Sequence, residues 1–373
     1  WRGCAIFSLL PMPRPMSSPG EPRATHVLKR GLYDQPGERV EPDVPAFLGL
    51  PLSDDAPRDR LALARWLVDP RHPLTARVAV NRLWQMLFGA GLVRTPEDFG
   101  FQGGRPTHPE LLDWLAAEFL EKGWDIQAML RLLMTSEAYA RSAAATPAML
   151  ERDPENLLLA RATRFRLPAP MLRDQALAVS GLLVPRIGGP PVKPYQPPGL
   201  WEAVAGVNSN TVTYIQDHDE NLRRRSLYTL WKRSVPPPNM MLFDAAAREV
   251  CSASRPRTNS PLQALVTLND TTYAEAARVL AGRVLSEAKD DAARISRLWR
   301  IVLARPRAPQ ESAHLTALLQ RQLARYQADP GLAKSRVSIG ESPLPAHLDP
   351  VELAAWTELA EVMLNLDATL TRP

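Results

Sequence analysis

Four stretches of this chain gather side chains that can do chemistry. The first is Arg105-Pro106-Thr107-His108-Pro109-Glu110, where an imidazole stands beside a carboxylate. Such a pair can serve as acid, base or ligand. Thr107 and Glu110 also have the S/T-x-x-E spacing of a capping box. A helix starting at Thr107 then explains the same residues without chemistry, and its positive N-terminus opposes a protonated His108. The second stretch is Asp217-His218-Asp219-Glu220, followed by Arg223-Arg224-Arg225. Three carboxylates around an imidazole are donors for a hard or borderline cation. The run has no central glycine and no twelve-residue frame, so the expectation is a solvated charge run offset by the arginines, with no metal.

The third stretch runs from Arg248-Glu249-Val250-Cys251 to Arg255-Pro256-Arg257-Thr258-Asn259-Ser260. Arginine forks and small polar side chains stand just ahead of a helix start. Backbone N–H groups and the helix dipole favour an anion there. The competing account pairs Arg255 and Arg257 with structural carboxylates such as Asp244, Glu249 or Asp270. No base stands near Cys251 in the sequence, and the thiol is expected to be buried. The fourth stretch is aromatic: Trp201, Tyr214, Tyr228 and Trp231 beside Pro236-Pro237-Pro238. Aromatics and prolines can line a groove for sugar or peptide, but at helix and strand spacing they are expected to be core. The candidate ligand-binding residues are Arg224, Arg225, Glu249, Arg255, Arg257, Asn259, His108 and His218. No Walker A loop, dinucleotide fingerprint, GxSxG elbow or HExxH helix occurs.

The elements that must position these residues read as mainly α, a multi-helix bundle-like domain with long Pro-rich loops and at most a small β-hairpin. Apolar residues recur at helical spacing over 58–68, 74–88, 107–119 and 124–139. Asp153-Pro154 reads as a cap followed by Pro at the first helical position, opening helices over 157–165 and 169–183. Ser260-Pro261-Leu262-Gln263 combines a capping box with the same Pro placement, and its helix is expected to run toward Leu285. Further helices are expected over 293–303, 309–326 and 351–366. The segment 184–221 reads as loop. Thr211–Ile215 alternates like a strand, with 225–231 as its partner. The organisation expected is an irregular lead-in over 1–57, which joins an upstream domain and carries extended segments and turns. A helical main domain follows over 58–328, with a loop and β insertion at about 184–260. A linker and a C-terminal helix packing back occupy 329–373.

Composition narrows the function classes. The 373 residues carry 45 basic and 40 acidic side chains, a formal charge of +5. That excess is weak and its signs are interspersed, so nucleic acid is not an expected partner. Prolines number 37 and cluster in loops and at helix starts, as punctuation of a folded chain. The two cysteines, Cys4 and Cys251, form no CxxC, CxxCH or zinc spacing, so the chain is expected to attach no haem and to build no cysteine-rich metal site. No apolar run reaches the length of a bilayer span.

The run from His72 to Gly100 (HPLTARVAVNRLWQMLFGAGLVRTPEDFG) and the run from Arg105 to Phe119 resemble a planctomycete-specific domain of unknown function, number 1553 in its series. GGPPVKPYQPPGLWE, RRSLYTLWKRSVPPP, REVCSASRPRTNSPLQALVTLND and ELAAWTELAEVMLNLDATLTR continue the resemblance in the same order, nearly throughout the chain from Thr25. It implies the C-terminal module of a large exported protein, extracytoplasmic, with a companion domain and often a c-type cytochrome upstream. Haem is then expected only in that upstream domain, and the partners are upstream domains of the same polypeptide and polysaccharide. The family has no established catalytic residues to carry over. Met86 and Leu87 stand where similar domains often have two histidines, which argues against a ligand role there. Two functions follow as expectations. One is a non-catalytic interaction module; the other is a hydrolase or oxidoreductase acting on polysaccharide through the central Arg, His and acid segments.

Overall fold

The structure, a computed structural model, describes residues 24–53, 55, 58–204 and 212–372. Cys4 and Thr211 lie outside them. The described chain divides into two compact units between Ala162 and Thr163. It is mainly helical, with two small two-stranded sheets among the described residues.

In the first unit, β1 (Thr25–Leu28) and β2 (Pro36–Val40) form an antiparallel hairpin within the Pro- and Gly-rich lead-in. The helices are α1 (Arg60–Leu67), α2 (Thr75–Phe88), α3 (Pro109–Glu121), α4 (Ile126–Met134), α5 (Glu137–Ala140) and α6 (Pro147–Arg152). Val80, Trp84 and Phe88 of α2 pack with Leu112, Leu115 and Phe119 of α3 and with Met129 and Leu133 of α4. These are the i, i+3, i+4 positions of the sequence pattern, which places one apolar stripe per helix in a shared core. Trp84 and Phe88, one turn apart, stack at 3.9 Å.

Two local expectations change here. Helix α3 starts one residue later than the capping-box spacing implies: His108 is its N-cap, without a side-chain cap bond, and Pro109 is its first residue. Thr107 does not cap: its N–H donates to the Leu92 carbonyl at 2.9 Å, which ties it to the preceding loop, and its hydroxyl lies 3.0 Å from His108 Nδ1. The second change is at 157–165, which is not helical. Asp153 accepts the N–H groups of Leu157 and Leu158, both at 2.8 Å, and so closes a turn. Asn156 and Leu159 lie at positive φ, incompatible with a continuing helix.

The second unit contains β3 (Phe165–Arg166), α7 (Ala169–Ser180), α8 (Leu200–Val204), α9 (Pro238–Met241), α10 (Pro261–Asn269) and α11 (Thr271–Glu287). Then come α12 (Asp291–Leu303), α13 (Pro309–Ala328), α14 (Pro330–Val337), α15 (Pro350–Leu364), α16 (Asp367–Leu370) and β4 (Thr371–Arg372). The centre is α11 against α15. Ala276, Ala277, Leu280 and Val284 face Ala354, Ala355, Leu359 and Ala360, all essentially buried. Alanines on both faces let the two backbones approach closely. Around them pack Trp299 of α12, Leu319 and Tyr326 of α13 and Val337 of α14.

Aspartates set many of the helix starts. Asp59, Asp125, Asp270, Asp290, Asp329 and Asp349 each accept a backbone N–H from the first turn of the helix they precede. Two expectations fail through such caps. The helix expected from Ser260 toward Leu285 is interrupted at Asp270, whose extended backbone caps α11 instead. The expected linker over 329–348 holds α14, started by the Asp329 cap with Pro330 following and anchored by buried Ala333 and Val337. The hairpin expected at 211–231 does not form. Residues 212–215 hold no strand, and Ser226–Tyr228 is a 3-10 turn. Its neighbours instead make single bridges, Val184 to Arg224 and Val192 to Thr229. The second unit's only named strands among the described residues are β3 and β4, which pair antiparallel, Phe165 with Arg372.

Candidate functional site

The β3–β4 pair brings a charged segment against the start of α10. Leu167 N–H donates to Leu370 O at 2.9 Å, which fixes the register. Between them lies a pocket of about 490 Å³. Arg164, Phe165 and Arg166 come from β3 and the residue before it. Arg257, Thr258 and Asn259 come from the loop before α10, and Ser260 and Gln263 from its first turn. Asn365 and Asp367 complete the wall from the segment after α15.

The loop is held by one carboxylate. Asp244 Oδ2 accepts the Thr258 N–H at 2.8 Å, and Oδ1 accepts the Thr258 hydroxyl at 3.0 Å. The same carboxylate pairs with Arg166. Arg166 also donates from Nε to Thr258 O at 3.0 Å and from Nη1 to Phe243 O at 3.3 Å. Gln263 Nε2 donates to Leu242 O at 2.9 Å and to the Thr258 hydroxyl at 3.1 Å. Arg166 is therefore committed to structure. Arg164 pairs with Asp367. The Arg257 guanidinium lies 4.4 Å from the Phe165 ring centroid. Burial, and then the charge of Arg166, push the Arg257 pKa down. The pocket thus gathers positive charge in partly desolvated surroundings beside a helix N-terminus, an arrangement that favours a bound anion.

Of the residues named from sequence, Arg257 and Asn259 line this pocket and Arg255 does not. Arg224 is 1% exposed and donates to the carbonyls of Pro190, Arg186 and Gly188, with its guanidinium 3.8 Å over Tyr228. It holds the 184–193 loop in place. Arg225 is half exposed, 3.7 Å from Asp174. Glu249 lies 3.6 Å from Arg233, both exposed, so that pair contributes little. His108 stands in the first unit, its Nδ1 3.0 Å from the Thr107 hydroxyl. Cys251 is exposed rather than buried, because the polar loop around it packs against no core. Trp201 is buried, edge-to-face with Tyr214 at 5.1 Å, as core aromatics are. Among the described residues no group of three or more His, Cys, Asp or Glu is placed to hold a metal. None of their helices is long and apolar enough to cross a membrane.

His218 meets a partner 123 residues away. Its Nδ1 is 2.8 Å from Glu341 Oε1, which also accepts from Gln216 at 3.1 Å. Beneath this exposed pair lies Glu275, 1% exposed. It accepts the N–H groups of Glu341 at 3.0 Å and Ser342 at 2.6 Å, and Arg223 at 3.2 Å. Gly340 makes room: it has φ +86°, and a Cβ there would come within 2.7 Å of the Glu275 side chain. Burial pushes the Glu275 carboxyl up. Hydrogen bonds from Ser342 and the Arg223 charge outweigh it and hold the group below the ordinary glutamate value. A folded pKa below the unfolded one, about 4.3, stabilises the fold fully above that pH. The contribution is lost as pH falls through the folded value. Urea midpoints of the wild type are expected to drop more steeply than those of Glu275→Gln between pH 6 and pH 3. Parallel pH profiles would contradict this role.

Sequence reasoning missed Arg164, Arg166 and Asp367. Its signal was present in Arg164-Phe165-Arg166, where two charges flank an aromatic at strand spacing. The geometry defines a mainly α protein with an arginine-walled pocket in its second unit. A family model for proteins of unknown function (DUF1553) matches residues 59–319, and the chain belongs to that family. No curated protein matches the chain, and no solved structure does.

Proposed function

We propose that the chain is an interaction module that binds an anionic group in the arginine-walled pocket. The observation that carries this reading is the pocket's charge. Arg164, Arg166 and Arg257 line the pocket, and Asp367 is the one carboxylate among its lining residues. Three guanidiniums to one carboxylate in the lining suit holding an anion more than cleaving a bond. In keeping with the family resemblance, the module would serve an exported, extracytoplasmic multidomain protein, beside upstream domains that include a c-type cytochrome carrying the haem. Polysaccharide turnover is the weaker reading, because His218, Arg225, Glu249 and Arg257 have separate partners or surroundings instead of one shared cavity.

Isothermal titration with acetate, sulfate and glucuronate tests the proposal. Binding is expected, weakened about tenfold in Arg257→Ala, the loss typical of one charge-assisted hydrogen-bonding group. Equal binding by the variant, or no binding of any of the three anions, would sink it.

A further inference from the structure

We infer that His72 is an acid-labile cap in the first unit: its neutral imidazole closes the start of α2, and protonation releases that turn. Helix α2 lacks an ordinary cap. Leu74, the residue before it, has no side-chain oxygen and makes no side-chain cap bond. The N–H groups at a helix start have no partner inside the helix. Here they turn to the His72 ring. Nδ1 accepts from Leu74 N at 3.2 Å and from Thr75 N at 3.1 Å, and the Thr75 hydroxyl lies 3.0 Å from the same atom. A backbone N–H can only donate. Nδ1 therefore presents its lone pair, and the one proton of the neutral ring sits on Nε2.

The ring has no room to turn this arrangement around. His72 is 8% exposed, its own backbone N–H donates to Asp69 O at 2.8 Å, and its ring stands edge-to-face with Trp66 of α1 at 4.4 Å. Nε2 is buried without a hydrogen-bond partner. An imidazolium has a donor on each nitrogen. One would point at the two backbone donors, and the other would stay buried without an acceptor. The added charge would also stand at the positive end of the α2 dipole. Burial accordingly pushes the His72 pKa below its ordinary value, and the Asp69 charge opposes that. The charges around the ring are engaged elsewhere. Arg71 bonds Asp69 through Nε at 3.0 Å and Nη2 at 2.9 Å, and these bonds bring the Asp69 carboxyl down to about 2, so Asp69 stays ionised while His72 titrates. From α2, Arg77 turns to Pro73 O at 2.6 Å and to Asp113 of α3 at 2.7 Å. From α1, it is the Trp66 ring that meets His72. A folded pKa below the unfolded one, about 6.5, makes the cap's contribution full above that pH. It is lost as pH falls through the folded value. The loss matters to the unit because α2 carries Val80, Trp84 and Phe88 of its core.

Amide hydrogen exchange of the whole 373-residue chain tests this. Protection over 74–78 in the wild type is expected to fall as pH drops below about 6.5, by up to about tenfold per pH unit, the limit for one proton. His72→Gln keeps an acceptor that does not titrate, so its protection there should carry no such slope, whatever its level at neutral pH. Ring 15N resonances of the wild type decide the point without a variant. At neutral pH Nδ1 is expected in the unprotonated range and Nε2 in the protonated range, and the ring should titrate below the ordinary histidine value. A proton on Nδ1 at neutral pH, a ring titrating at or above that value, or matching pH slopes in wild type and His72→Gln would each overturn the inference.

Discussion

Arg173→Met is expected to destabilise the second unit by about 3 kcal/mol, read as a shift in its urea midpoint at unchanged slope. Arg173 sits on α7 and is 1% exposed. Its Nη2 donates to Leu222 O at 2.6 Å, and Nη1 to Arg224 O at 2.9 Å and to the Ser226 hydroxyl at 3.3 Å. The nearest carboxylate, Asp174, is 4.0 Å away. Burial pushes the Arg173 pKa down, and Asp174 is the leading charge opposing that. The residue therefore works chiefly as a hydrogen-bond donor to a loop that has no strand partner of its own. Methionine keeps the apolar stem and removes the donors. The carbonyls of Leu222 and Arg224 are then buried without a partner, at about 1–3 kcal/mol each. The loss should spread, because Leu222–Ser226 includes Arg223, which reaches Glu275 and the Ser342 hydroxyl. Arg225→Ala is the contrast. Its side chain is half exposed and its ion pair is long, so a change within about 0.5 kcal/mol is expected. Similar midpoints for Arg173→Met and Arg225→Ala would show that the loop holds without the buried guanidinium.

These two arginines show where the sequence was legible and where it was not. Helices with one apolar stripe, such as α2, α3 and α12, could be read because a local period decides which face is buried. Helix α11 is harder. It is buried on nearly every side, so its pattern carries little periodic signal, and the cap at Asp270 that separates it from α10 depends on a turn. The candidate site was half visible. Arg257 and Asn259 stood out because they precede a helix start, a local signature. Arg164, Arg166 and Asp367 did not, since they meet them only when the ends of the second unit pair as β3 and β4, more than 200 residues apart. Arg224 was misleading for the converse reason. An arginine run looks solvent-facing, yet loop carbonyls with no ladder to join need a buried donor, and arginine supplies several from one side chain. His218 and Glu341 were each in view, but no local rule joins residues at that separation.

The second large effect is expected at Asp244. Replacing it by asparagine should destabilise the second unit by about 3 kcal/mol and weaken anion binding at least tenfold. The Arg166 and Asp244 side chains are 9% and 15% exposed, so the variant leaves a guanidinium largely buried without its counter-charge. That kind of loss runs to about 3–5 kcal/mol. Asparagine is the informative choice because Asp244 sits at φ +57°, a conformation asparagine also tolerates. The backbone is then undisturbed, and the change reports the lost charge together with one acceptor oxygen exchanged for a donor NH2. The binding loss follows from position. Asp244 holds Thr258 through both N–H and hydroxyl, and Thr258 lies between the two pocket residues Arg257 and Asn259. A double variant separates the contributions. Arg166→Met with Asp244→Asn removes the orphaned charge, so stability should recover by about 2 kcal/mol over the single variant. Anion binding should not recover, because Thr258 still lacks its carboxylate. If binding returned with stability, the pocket would depend on the fold of the second unit as a whole and not on this clamp. If neither measurement moved in Asp244→Asn, the Asp244 carboxylate would have no part in building the site.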